Sequence, residues 1–416
     1  MMRKVIVISF ISAIIATLVF IVFFTGDNEK SRQLDSTENL KSLPYLTWVP
    51  SGKNIQKSGV TRHDRRRSCK GINLYNSRNL SMAHLMDMQG RILHTWEGKI
   101  NEDDSWQHVE ICKNGDLLAI VKDRMLVKLD WDSNIKWFQH MRFHHDLAVA
   151  ENGDIYSLAR EEESVFVSGF SIPILNEYIV ILSPEGEIKK KVSLFDVFKR
   201  EIPTGKFAEI RRWLNNPRNL KELERRKVNN DFQFTSRDPQ DIFHINTVEI
   251  VDRNIDKVGQ KGNLLVCALK LDLVGIVDLE KQKMVWKWGP GNLSKPHHPA
   301  LLENGHILIF DNGVERRHSR VVELDPPSKK IVWEYQSDPA QQFFSVSRGS
   351  SQRLPNGNTL ITESDKGRVF EVSYGKEIMW EFFNPEIRME DEKRAAIYRM
   401  TRLIDSKKYL FLTSLE

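Results

Sequence analysis

One phrase recurs along this chain and restricts its fold more than any other feature. A turn of the Asn-Gly kind launches a short apolar strand at Asn114-Gly115-Asp116-Leu117-Leu118 and Asn152-Gly153-Asp154-Ile155-Tyr156. It does so again at Lys261-Gly262-Asn263-Leu264-Leu265, Asn304-Gly305-His306-Ile307-Leu308 and Asn356-Gly357-Asn358-Thr359-Leu360. Such dipeptides supply the positive φ that a tight hairpin turn requires. A second phrase follows each first one: an apolar strand ending in Asp or Glu, a polar turn, then an apolar strand that usually ends in Trp. Its copies run from Leu129-Asp130 to Trp137, Val180 to Lys190, Val277-Asp278 to Trp286, Leu324-Asp325 to Trp333 and Glu371-Val372 to Trp380. Each pair of phrases reads as four antiparallel strands. A four-stranded unit repeating about every 40–50 residues cannot bury both its faces alone and must stack on neighbours, which is the signature of a propeller blade.

Five copies are complete and the sixth is split. The N-terminal side offers a second phrase, Leu85-Met86-Asp87 to Trp96, and the C-terminal side a first phrase, Tyr398 to Asp405 followed by Tyr409 to Thr413. Joining two strands from each end closes a ring and removes its edges. The expected fold is therefore all-β, a six-bladed β-propeller over residues 71–416. A short helical insertion at about 195–235 interrupts it between the third and fourth copies.

Ahead of the repeats, Val5 to Phe24 is a stretch of twenty residues without a charge. At about 1.5 Å rise per residue it covers a hydrocarbon core of about 30 Å. It is too long for the apolar part of a cleaved signal and runs on without a small-x-small cleavage site. Residues 1–25 read as a single N-terminal transmembrane anchor. Arg3 and Lys4 before the span favour a cytoplasmic N-terminus, with the propeller in a periplasm, lumen or exterior. Residues 26–70 are polar, with Pro44, Pro50 and the run His63-Asp64-Arg65-Arg66-Arg67, and read as a linker or stalk.

The formal net charge of +5 is spread over both signs and does not suggest nucleic acid. The excess is local, between Phe198 and Lys227, where Arg211-Arg212, Arg218, Lys221 and Arg225-Arg226-Lys227 alternate with Phe207, Ile210, Leu214, Leu220 and Leu223 at helical spacing. This insertion reads as a solvated helical face or as a surface for an acidic partner. Cys69, Cys112 and Cys267 have no metal-binding or haem-attachment spacing, so a disulfide is allowed but not implied.

The innermost strand of each blade lines the central channel, so its first residues gather in space. Those starts are Gln107-His108, His144-His145-Asp146, Phe243-His244-Ile245-Asn246, His297-His298-Pro299 and Gly349-Ser350-Ser351-Gln352, with Tyr398-Arg399 in the closing blade. A histidine ring of this kind suits nucleophilic or acid–base catalysis, metal ligation, or a polar plug with no chemistry.

The order of several stretches resembles the arylsulfotransferase family of six-bladed propellers. They are Asp241-Ile242-Phe243-His244-Ile245-Asn246, Trp286-Lys287-Trp288-Gly289, His298-Pro299-Ala300-Leu301-Leu302-Glu303-Asn304-Gly305 with Phe310-Asp311-Asn312-Gly313, and Gln352-Arg353-Leu354-Pro355-Asn356-Gly357. The resemblance implies transfer of a sulfuryl group from an aryl sulfate to a phenol through a sulfated histidine, without a nucleotide donor, cofactor or metal. Carried over by motif, His298 is the nucleophile, His244 binds and stabilises the sulfuryl group, and His145 is a further pocket histidine. The arginine that the family places on the next strand is represented by Lys270, which supplies charge without a bidentate fork. His108, Asn246, His297, Asn312, Arg348 and Arg399 are the expected substrate-binding residues. The competing expectation is a non-catalytic anchored propeller that holds a partner protein or polysaccharide through its faces and the basic insertion.

Overall fold

The computed structural model describes residues 47–78, 80–98, 105–228 and 238–404, together with Tyr409, Phe411 and Leu412. The expected anchor and the first part of the linker lie outside the described residues. Among those described, no helix is long and apolar enough to cross a membrane.

The recurring phrases fold as anticipated, into antiparallel sheets. Sheet two is Trp106–Ile111, Leu117–Val121, Met125–Leu129 and Ile135–His140, in chain order from the innermost strand outwards. Sheet three is Phe143–Val149, Ile155–Val167, Phe170–Leu182 and Ile188–Ser193; sheet four is Ile245–Ile250, Leu264–Ala268, Leu273–Asp278 and Lys283–Trp288. Sheet five is His297–Leu301, Ile307–Asp311, Arg320–Asp325 and Lys330–Tyr335; sheet six begins Ser350–Arg353, Thr359–Glu363, Arg368–Val372 and Ile378–Phe383. The glycine of each launching turn has φ between 84° and 91°, a conformation in which a Cβ would be strained.

The second strands read as unbroken apolar runs because both faces are covered. In Leu117–Val121, residues 117, 119 and 121 face the core shared with sheet one, and residues 118 and 120 the core shared with sheet three. Among the described residues there are six such cores, one between each neighbouring pair of sheets, including sheets six and one. The six sheets thus close a ring, and the fold is all-β and propeller-like. Tryptophans of the outer strands fasten neighbour to neighbour. The indole N–H of Trp137 donates to the Pro184 carbonyl (3.0 Å), Trp286 to Pro326 (3.2 Å), Trp333 to Tyr374 (2.9 Å) and Trp380 to Met88 (3.0 Å).

Two expectations are corrected at the seam. Sheet one is assembled from one C-terminal strand, Ile397–Leu403, and three N-terminal strands, Ile72–Ser77, Met82–Met86 and Ile92–Glu97, rather than two from each end. The launching turn marks the join between first and second strands, and here the chain has no such turn, so Ile72–Ser77 carried no cue. Tyr409 and Leu412 pack into the core between sheets one and two instead of forming a strand. The second correction concerns residues 47–70, expected as stalk. Gly59–His63 adds a fifth, outermost strand to sheet six, and Trp48–Pro50 pairs with Lys393–Ala395. Short edge pairing needs little apolar periodicity, which is why the segment reads as linker. Arg402 and Glu371, both fully buried, join sheets one and six by an ion pair across the seam. Cys69, Cys112 and Cys267 are free thiols.

The insertion is helical at Phe195–Phe198, Lys206–Leu214 and Pro217–Val228. Its apolar side is used structurally: Phe198 and Ile210 are buried, and the ring of Phe198 lies 5.6 Å from that of Phe243, the residue before His244. Its cations Arg211, Arg212, Arg218, Lys221 and Arg225 are exposed.

Candidate active site

Within two residues of the start of four inner strands stands a residue that is left-handed yet not glycine: His145 (φ 59°), His244 (50°), His298 (44°) and Arg348 (57°). A side chain in this region is uncommon and strained, and it persists only where surrounding structure enforces it. In sheets three, four and five the ladder register also shifts at this point, so a bulge turns the side chain away from the regular pleat.

Each histidine is held differently. His244 Nδ1 lies 2.6 Å from Asp241 Oδ2, and the Lys270 ammonium lies 3.4 Å from the same oxygen while donating to the Asp238 carbonyl at 3.3 Å. Burial raises the Asp241 carboxyl, but Lys270 and His244 outweigh it and hold the group well below the usual carboxylate range. Nδ1 of His145 meets Nδ1 of His144 at 2.6 Å, and Nε2 of His144 lies 2.7 Å from the fully buried Glu177 carboxylate. The rings of His145 and His244 are 4.8 Å apart. His298 is half-buried; its backbone N–H donates to Thr247 Oγ1 at 3.1 Å, and the Ser351 N–H approaches its Nδ1 at 3.4 Å, too far to fix a tautomer. Among the described residues, Nε2 of His145, His244 and His298 has no hydrogen-bond partner.

His297 is different. Its Nδ1 meets Asn312 Oδ1 at 2.8 Å and its Nε2 accepts the Arg348 N–H at 3.2 Å, so both ring nitrogens are used. Asn312 Nδ2 donates to the carbonyls of Ser345 (2.8 Å) and Arg348 (2.7 Å), and Asn246 Nδ2 to that of Pro296 (2.9 Å). His297, Asn312 and Asn246, expected to bind substrate, have hydrogen-bond partners within the protein and shape the turns that present His298 and Arg348. Of the two adjacent histidines, His297 has both ring nitrogens engaged, whereas Nε2 of His298 has no hydrogen-bond partner among the described residues.

Across the channel, Arg399 Nη1 lies 3.0 Å from Asp146 Oδ1 and 3.5 Å from His108 Nε2, and Asp146 Oδ2 accepts the Val248 N–H at 3.1 Å. Arg348 Nη1 lies 3.2 Å from Asp365 Oδ1. Burial, reinforced by Arg399, holds the imidazoles of His108 and His298 well below the ordinary histidine value. Burial and the neighbouring His244 do the same to His145, and burial pushes His297 down to about 3. These rings are therefore neutral near pH 7, as a nitrogen nucleophile must be. No group of three or more His, Cys, Asp or Glu side chains suited to a metal ion occurs among the described residues. A surface cleft of about 970 Å³ beside the insertion, lined by Lys199, Arg200, Lys283 and Lys287, contains none of the histidines.

The sequence profile of the arylsulfotransferases (ASST) matches residues 83–385, which include every histidine of the cluster. The chain belongs to the arylsulfotransferase family. No curated protein matches it in sequence. Among solved structures, a Bacteroides caccae protein of unknown function is similar in fold, at 12% identity and a TM-score of 0.52, covering 81% of this chain and 100% of its own. A streptogramin B lyase (11% identity, 86% and 96% coverage) has a TM-score of 0.45. Virginiamycin B lyase from Staphylococcus aureus, solved in a catalytically inactive form with quinupristin, has 11% identity, 86% and 97% coverage and a TM-score of 0.44. Lys270, expected in place of a family arginine, has its charge matched by Asp241. Sequence reasoning gave no role to Asp241, which orients His244, or to Glu177, whose carboxylate lies beside His144; a carboxylate three residues before a site histidine was the available signal for the first.

Proposed function

We propose that this arylsulfotransferase moves a sulfuryl group from an aryl sulfate to a phenolic or related acceptor through a sulfated His298. The observation that carries the reading is the state of His298: half-buried in the channel, aimed by a left-handed backbone, neutral, and with Nε2 unpartnered among the described residues. In the first half-reaction the imidazole lone pair forms an N–S bond while the bond from sulfur to the aryl oxygen breaks. The departing aryloxide takes up a proton. In the second half the acceptor oxygen attacks sulfur, the N–S bond breaks, and the acceptor gives up its proton.

His244 is suited to both proton movements. Asp241 orients its Nδ1 and stabilises an imidazolium, which leaves Nε2 to give the proton and then receive one, the division of labour seen in catalytic triads. Negative charge gathering on the sulfuryl oxygens finds N–H donors and the cations Lys270 and Arg399, both largely buried. Each of those cations is tied to a carboxylate, which tempers the field it supplies.

The test is incubation of the full chain with an aryl sulfate, followed by peptide mass spectrometry and assay of transfer to a phenol. A sulfated His298 peptide and loss of transfer in H298A are expected. Transfer by H298A at the wild-type rate would overturn the assignment. The apolar span Val5 to Phe24, with Arg3 and Lys4 before it, supports an anchor that places this channel outside the cytoplasm. A C-terminal tag should then be digested by protease added to intact cells; protection of the tag refutes that orientation.

A further inference from the structure

Three cations occupy one position of the repeat. Arg78, Lys122 and Arg160 each directly follow the second-strand residue that pairs with the start of the inner strand: Ser77 opposite Ile397, Val121 opposite Trp106, Ala159 opposite Phe143. Arg160 is satisfied, its Nε and Nη2 meeting the two oxygens of Asp123 at 2.7 and 2.6 Å. Arg78 is not. It is 6% exposed, and its Nη1 reaches only the Trp106 carbonyl at 3.4 Å, an oxygen that already accepts Asn76 Nδ2 at 2.8 Å. Its Nε has no hydrogen-bond partner, and no carboxylate pairs with it among the described residues.

A guanidinium stays protonated in proteins, so Arg78 is a buried charge without a counter-ion, a state folded chains avoid unless an anion arrives from outside. The groups facing it are the Arg348 guanidinium and the Tyr398 phenol; Lys122 faces the Asp123 carboxylate that Arg160 holds, and beyond it both arginines. Burial and the like charges push Arg78 down to about 9 and Lys122 down to about 8, which is the electrostatic strain an incoming anion relieves. Tyr398 connects this group to the histidines, its ring 5.7 Å from that of His108 and 6.4 Å from that of His145.

Building on the transferase reading, we propose that Arg78, flanked by Arg348 and Lys122, forms a second anion subsite of the channel, which receives an oxyanion substituent of the aryl substrate beside the histidine cluster. The preferred substrates then carry two anionic groups, the sulfuryl group for His298 and a carboxylate, sulfate or phosphate for Arg78. A planar guanidinium with free N–H donors matches such oxyanions in a way that a backbone carbonyl does not.

Two measurements on the full chain test this. The first needs no turnover: inorganic sulfate, compared with chloride at equal ionic strength, should raise the melting temperature of wild type and of H298A, and R78M should lose affinity for it by at least about tenfold. Equal sulfate binding by wild type and R78M overturns the proposal, whether or not the protein transfers sulfuryl groups. Methionine in place of an uncompensated buried charge should be tolerated; if R78M does not fold, R78Q gives the same reading. The second is kinetic: KM for a para-carboxyphenyl sulfate should lie below that for phenyl sulfate in wild type and rise in R78M, with kcat unchanged. If wild type transfers but shows no such preference, the subsite is refuted while the transferase reading stands.

Discussion

Replacing Asp241 by asparagine separates orientation of His244 from its mere presence. The carboxylate is 1% exposed, accepts from His244 Nδ1 at 2.6 Å and faces the Lys270 ammonium at 3.4 Å. A hydrogen bond to a charged group contributes about 1.5–3 kcal/mol, and a neutral one about 1 kcal/mol. Asparagine can keep the neutral bond, so D241N forfeits a difference of about 0.5–2 kcal/mol in stabilising the imidazolium. At 1.36 kcal/mol per decade, kcat should fall by about 2- to 30-fold. D241L, which removes the acceptor altogether, should fall further. KM for the donor should change less than kcat, because Asp241 stabilises charge on His244 that develops only as protons move. Steady-state release of a chromogenic phenol measures both constants, and melting temperatures verify that each variant is folded. If both variants kept kcat within about twofold of wild type, the proton-carrying role of His244 would be refuted.

Three buried histidines make stability depend on pH in a definite direction. The folded-state values of His108, His145 and His297 lie below the unfolded value of about 6.5, so below that pH the unfolded chain binds protons that the native one does not. Stability is therefore held above pH 6.5 and lost beneath it, by about 1.4 kcal/mol per unit for each histidine. Glu249, pushed up to about 8 by burial, acts the other way and gains stability as pH falls from 8 toward its unfolded value. The melting temperature should thus peak near pH 6.5 and drop between 6.5 and 5; a flat or rising curve there contradicts the assignment. At the seam, R402M leaves the Glu371 carboxylate buried with only the Cys69 N–H (2.7 Å) and Asn358 Nδ2 (2.6 Å) for company. It should cost about 3–5 kcal/mol in a denaturant titration, and R402M combined with E371Q should recover part of that loss; equal stability of the single and double variants denies the coupling.

The sheets were legible because each launching turn needs a glycine and each inter-sheet core needs an unbroken apolar run. Legibility failed where the chain supplies neither, at Ile72–Ser77 and at Gly59–His63. In the site, the histidines could be read from their shared position in the repeat, and His298 from the family resemblance. Their partners could not: Glu177 reaches His144 from the third strand of the same sheet, and the choice between His297 and His298 depends on which ring nitrogens the fold consumes. Lys270 was noticed as a cation, but its neutralisation by Asp241 is a matter of distance, and Arg78 gave no signal because an arginine after a strand is ordinary until its surroundings are known.

The seam between sheets six and one also sets an order of events during synthesis. Sheets two to five are contiguous in the chain and can form as they emerge from the ribosome, each covering the face of the one before. Ile72–Ser77 and its two companions are made early, yet their inner neighbour Ile397–Leu403 is made more than three hundred residues later. Until then Tyr75, Met86 and Met88 on one side and Val369, Trp380 and Phe382 on the other are not sealed together, and Tyr398 and Arg399 are absent from the channel. The nascent protein thus carries one uncovered face of sheet one through most of its translation, joined late by that of sheet six, and the channel is completed in the same step that seals the two.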